Sequence, residues 1–154
     1  MTSSTESPAP RLLACADGIA ARWQDFLLLV ARVLLGWIFV QSGWGKLTNI
    51  QGFIKTLPGR GLPDFLGYVA PPVEFFGGLA ILLGFATRYV ALALLLFTIV
   101  ATLSSHRFWD FTDAAQRGQQ QTHFLKNVSM MGGQLLLFIV GAGRYALDRL
   151  LARR

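Results

Sequence analysis

The residues best suited to chemistry in this 154-residue chain are the few charged and polar ones set inside or at the ends of long apolar runs. Arg32, Lys46, Glu74, His106, Lys126 and Asn127 make up the candidate ligand-binding set. An ionisable side chain at the centre of a membrane helix costs about 2.5–3.5 kcal/mol on insertion scales, so such residues face a bundle interior or a cavity. Glu74 is the only carboxylate well inside an apolar run, and Lys46 is its plausible counter-ion. Such an ion pair can simply fix helix register. It can also wall a polar pocket for the head group of an amphiphile, where the carboxylate accepts a hydrogen bond or proton and the lysine steadies an oxygen.

Other chemistries find less support. His106 and His123 are the only histidines, and a metal or haem site would need Glu74 or Asp110 to help them, so no metal is expected. Cys15 is the single cysteine, which leaves no internal disulfide and no CxxC pair. No GxSxG motif offers a nucleophile. The sequence therefore implies no intrinsic cofactor, and a redox role must come through a bound molecule or through a partner.

The elements that position these residues are membrane helices. Apolar residues make up 53% of the chain and charged residues 14%, with mean hydropathy +0.48. A soluble domain carries about 25% charged residues. A bilayer's hydrocarbon takes about 20 apolar residues per helix, and four segments qualify, over about 26–45, 65–86, 88–105 and 124–143. None alternates apolar and polar residues as a barrel strand does. The expected fold is all-α, an integral-membrane antiparallel four-helix bundle. The net charge of +6 forms no dense basic stretch, so nucleic acid is not an expected partner; the excess reads as loop charge in a membrane protein.

Residues 1–24 form an N-terminal tail. Met1 to Pro10 lacks the basic residues of a signal peptide. Leu12, Leu13, Ala16, Ile19, Ala20 and Trp23 then recur at helical spacing, which predicts a short amphipathic helix lying on the membrane surface. The membrane domain occupies 25–148, and 149–154 is a basic tail. Thr87-Arg88 is the whole link between spans two and three, a tight hairpin. Pro- and Gly-rich sequence fills 48–64, and a polar loop is expected over 106–123.

Each span carries one small or polar stripe: Arg32, Gly36, Phe39, Gly43 and Lys46; then Glu74, Gly77, Gly78, Ile81 and Gly84; then Thr98, Thr102 and Ser105; then Asn127, Met131, Gln134, Phe138 and Gly141. Such stripes serve helix packing as readily as function. Four spans put both termini on one side. That side holds eight basic residues, Arg32 among them, against six on the other, so the positive-inside rule places the termini in the cytoplasm. Lys46, Glu74, His106, His123, Lys126 and Asn127 then converge on the outer end.

Short motifs in a fixed order link the spans. Ala31-Arg32-Val33-Leu34-Leu35-Gly36 is followed by Ser42-Gly43-Trp44-Gly45-Lys46-Leu47, then Glu74-Phe75-Phe76-Gly77-Gly78 and Leu83-Gly84-Phe85-Ala86-Thr87-Arg88. Lys126-Asn127 and Gly141-Ala142-Gly143-Arg144-Tyr145-Ala146-Leu147-Asp148 close the series. From Ala31 to Asp148 the chain resembles the DoxX family of small four-helix membrane proteins of bacteria and archaea. Ala146 stands where the family often has serine. The resemblance implies a membrane redox context, since members are named as subunits of quinol oxidases or thiosulfate–quinone oxidoreductases, and some are linked to oxidative-stress complexes. It also implies that Arg32, Lys46, Glu74 and Asn127 are the family's polar positions.

Three readings follow. The first is an accessory inner-membrane redox subunit that binds quinone or quinol at the outer polar cluster. The second is a scaffold that recruits soluble redox or stress enzymes as partner subunits, with Arg149, Arg153 and Arg154 docking acidic partners or lipid. The third is a small-molecule transporter that works as a homodimer, with Arg32 and Glu74 lining the path.

Overall fold

The computed structural model describes residues 11–152, and these are all-helical, with no strand among them. Met1 to Pro10 and the arginines Arg153 and Arg154 lie outside the described residues. Helix α1 spans Arg11–Leu47, α2 Ile50–Ile54, α3 Leu66–Leu83, α4 Thr87–Ser105, α5 Ala114–Val140 and α6 Leu147–Leu151. Single 3-10 turns sit at Pro58–Arg60 and Phe108–Asp110. Four helices, α1, α3, α4 and α5, are long and apolar enough to cross a membrane. At about 1.5 Å per residue, the 18 residues of α3 just match the hydrocarbon thickness.

The burial pattern inverts that of a soluble protein. Arg32, Glu74, Thr87, Thr98, Thr102, Asn127 and Gln134 are buried, while Leu34, Trp37, Phe76, Leu96 and Ile139 are exposed. Lipid is as apolar as leucine, so only polar groups gain by facing inward. A small apolar core of Phe39, Ile81, Ala91, Leu94 and Leu137 separates two polar ends.

Glycines set the closest approach. A Cβ on Gly43 would stand 2.5 Å from the Phe75 backbone nitrogen, and one on Gly36 would stand 2.8 Å from the Gly78 carbonyl oxygen. Contacts therefore run 43 to 75 and 36 to 78, so α1 and α3 pass in opposite directions. Two threonine ladders do the same for α4 and α5. Thr102 Oγ1 accepts from Asn127 Nδ2 at 2.9 Å and donates to the Thr98 carbonyl at 2.6 Å. One turn earlier in α4, Thr98 Oγ1 accepts from Gln134 Nε2 at 3.1 Å and donates to the Leu94 carbonyl at 2.6 Å.

Three expectations are revised. The amphipathic segment before the first span is helical, but it is no separate interfacial helix. It runs unbroken into the span as one 37-residue helix, because no proline interrupts the Ala-rich stretch over 14–21 and helix simply propagates. The polar loop expected over 106–123 is also shorter. Asp113 caps α5, its side chain accepting from the Gln116 backbone N–H at 2.9 Å, so helix begins at Ala114 and includes the Gln119–Gln121 run. The hairpin between α3 and α4 turns on Gly84, Phe85 and Ala86, with Thr87 and Arg88 already helical.

Candidate functional site

The end of the bundle opposite α6 holds a cavity of about 100 Å³. Five of the six sequence-predicted residues line it: Lys46 from the last turn of α1, Glu74 from α3, His106 just past α4, and Lys126 and Asn127 from α5. At its centre, Lys46 Nζ lies 2.6 Å from both Oε1 and Oε2 of Glu74. Ser42 completes the arrangement, donating to Glu74 Oε2 at 3.1 Å and accepting from Lys46 Nζ at 3.1 Å. Ser42 precedes Lys46 by four residues, one turn of α1, so the triad is a local consequence of helical period. Glu74 is 5% exposed, whereas the Lys46 side chain keeps 27% of its surface. Long charged side chains near a helix end reach outward in this way.

The loop before α3 closes the site. Arg60 Nη1 donates to Ser105 Oγ at 3.1 Å. Lys46 Nζ and the Arg60 guanidinium lie 5.3 and 5.8 Å from the ring centre of Phe53, within cation–π range. Burial lowers the Arg60 guanidinium from its ordinary pKa. A second cavity, of about 150 Å³, adjoins the first. The two share Lys46, Arg60, Glu74, Phe97, Ala101 and Ser105 in their walls, and the second is otherwise largely apolar, with Phe53, Leu57, Val69, Val73 and Val100. His106 and His123 meet, their rings 5.2 Å apart at 30°, and His106 Nδ1 hydrogen-bonds Gln120 Oε1 at 2.9 Å. Among the described residues, no three His, Cys, Asp or Glu side chains converge as metal ligands would.

Arg32, the sixth predicted residue, lies elsewhere. It is fully buried near the end that carries α6, and its Nη2 donates to the Tyr145 carbonyl. Its Nε and Nη1 have no partner among the described residues. Gly84, in the left-handed conformation at φ +67°, lies against it, and a Cβ there would run into Arg32 Nη1. Alongside, Asp148 accepts from the backbone N–H groups of Ala86 and Thr87 at 2.6 and 2.9 Å, capping α4 from across the chain. Its own N–H donates to the Gly84 carbonyl at 2.9 Å, and Asp25 Oδ1 accepts from the Arg144 N–H at 2.7 Å. Arg32, Gly84, Tyr145 and Asp148 form a structural latch.

Sequence reasoning placed Ser105 in the polar stripe of span three but did not single out Ser42, Arg60 or Asp148. The i, i+4 spacing of Ser42 and Lys46 could have found the first. Arg60 sits in a Pro–Gly loop with no periodicity, and only the folded chain brings it to Ser105.

The fold and this geometry define a small four-span membrane protein with a polar chamber at one end and a latch at the other. The DoxX family model matches residues 27–107, and the SURF4 family model matches residues 73–152. Inner membrane protein YqjF of Escherichia coli (strain K12) is 39% identical over 131 residues, covering 85% of this chain and 96% of the relative. Inner membrane protein YphA of the same organism is 34% identical over 125 residues, covering 80% and 89%. A third relative, named "Putative oxidoreductase CatD" in Bacillus subtilis (strain 168), is 36% identical over 76 residues, covering 49% and 57%. No solved structure matches. The chain belongs to the DoxX family.

Proposed function

We propose that this chain is an inner-membrane accessory subunit of a quinone- or quinol-linked redox system, with its termini in the cytoplasm and its polar chamber holding the quinone head group at the outer face. The observation that carries this reading is the Lys46–Glu74 pair in the wall shared by a polar cavity and an apolar one. A quinone has the same division, an oxygen-bearing ring and an apolar chain. Lys46 donates a hydrogen bond to a ring oxygen, and Glu74 accepts one from a quinol hydroxyl. Ser42 keeps the carboxylate oriented, and Asn127, tied to Thr102, fixes the floor. The bound quinone would carry the electrons, and partner subunits would supply the other redox centres. The inner-membrane names of two relatives and the oxidoreductase name of a third support this assignment.

The test is to purify the protein in mild detergent, extract it with organic solvent and identify bound small molecules by mass spectrometry. Near-stoichiometric quinone in the wild type, lost in Glu74→Gln, is the expected result. Wild-type protein that yields only ordinary phospholipid overturns the reading.

A further inference from the structure

The chamber's charges do not balance. Three cationic side chains, Lys46, Arg60 and Lys126, line it, against one carboxylate, Glu74. Lys46 and Glu74 neutralise each other at 2.6 Å. The loop carboxylate Asp110 is taken by Arg107 at 3.0 Å. Arg60 and Lys126 therefore face the cavity with no salt-bridge partner among the described residues. They come from separate elements, the 3-10 turn before α3 and the middle of α5, with His106 and Ser105 also in the wall. Arg60 already donates to Ser105 and Lys126 is open to solvent, but neither has a counter-ion in the cavity wall, and a neutral head group supplies none. A bound anion supplies one and accepts charge-assisted hydrogen bonds from both sides.

We infer that the chamber selects a negatively charged oxygen head group, a carboxylate, phenolate or phosphate, held by Arg60 and Lys126. The adjoining apolar cavity of about 150 Å³ takes the start of the alkyl or prenyl chain that carries it. The ligand class is thus an anionic amphiphile drawn from the bilayer. This inference rests on the reading of the chamber as a head-group site, but not on the head being a quinone.

The experiment is isothermal titration of the purified full chain in a non-ionic detergent, with each ligand's micelle partition measured without protein. Dodecanoate, at a pH where it is ionised, is compared with dodecanol, acetate and a short-chain ubiquinone. Charge-assisted hydrogen bonds are roughly twice as strong as neutral ones, so dodecanoate is expected to bind at least about tenfold more tightly than dodecanol. That preference is expected to vanish in the Arg60→Gln/Lys126→Gln variant. If the double variant fails to fold, Lys126→Gln alone, at an exposed position, must still reduce it. Equal binding of dodecanoate and dodecanol overturns the inference, as does an anion preference that both variants retain. Acetate binding as tightly as dodecanoate overturns the amphiphile part and points to a soluble anion. Ubiquinone bound without any anion preference leaves the quinone reading standing and this inference refuted. Dodecanoate preference without ubiquinone binding does the reverse.

Discussion

The Lys46–Glu74 pair is more than a point of contact between two helices, because each partner is the other's only salt-bridge partner among the described residues. Removing one partner leaves an uncompensated charge, which in a fully buried pair costs about 3–5 kcal/mol. Lys46 retains access to solvent, so about 1–3 kcal/mol is the expected cost here. Lys46→Met and Glu74→Gln should each lower the thermal unfolding midpoint in detergent, and the double variant should recover part of the loss. Additive losses would show that the pair contributes nothing to stability. The same residues show how much of the site was legible beforehand. Lys46, Glu74 and Asn127 stand out because charge and amide groups interrupt apolar sequence, and depth along the helices puts them at one end. Arg32 stands out for the same reason, yet it belongs to the opposite end and bonds a carbonyl 113 residues away. A contact of that separation leaves no local trace in the sequence.

At the scale of elements, the seam between α1 and α3 is the rigid part of the bundle. Gly43 meets backbone atoms of Phe75, and neither helix can yield without moving as a whole. Gly43→Ala should therefore destabilise the protein by about 1–3 kcal/mol and shift Lys46 away from Glu74. Gly45→Ala, where a Cβ meets nothing within 4 Å, should be neutral or slightly stabilising. Thermal unfolding of both variants in one detergent distinguishes them, and equal losses would remove the close seam as the cause. Glycine stripes were visible as spacing, but spacing alone does not say which glycine touches backbone. The start of α5 was missed for a different reason. Gln119, Gln120 and Gln121 read as a polar loop, while the Asp113–Gln116 cap was the stronger local signal. Helix can continue beyond the apolar stretch wherever a cap and good helix formers allow it.

For the whole molecule, two polar ends flank an apolar middle, and aromatic side chains mark both levels. Trp44, Tyr68 and Trp109 are exposed near the chamber, and Trp23, Tyr89 and Tyr145 near the latch. Indole and phenol rings favour the membrane–water boundary on both sides. In the sequence, the segments on the terminal side of the four spans hold eight basic residues, Arg32 included, against six in the segments on the other side. A reporter fused after the C-terminus should accordingly be active only when it requires the cytoplasm. Activity confined to a periplasm-dependent reporter would invert the orientation and turn the chamber inward.

The latch also bears on how the chain matures in the membrane. The hairpin between α3 and α4 is synthesised some sixty residues before the carboxylate that caps it, Asp148 lying 62 positions after Ala86. Until that residue emerges from the ribosome, the left-handed turn at Ala86 and the first N–H groups of α4 have no side-chain acceptor. Arg32 lacks the Tyr145 carbonyl for as long. The bundle can insert span by span, but its latch end closes last, when the final stretch folds back over helices already in place. A released chain that ends just before Asp148 keeps all four long helices but leaves that end unsealed.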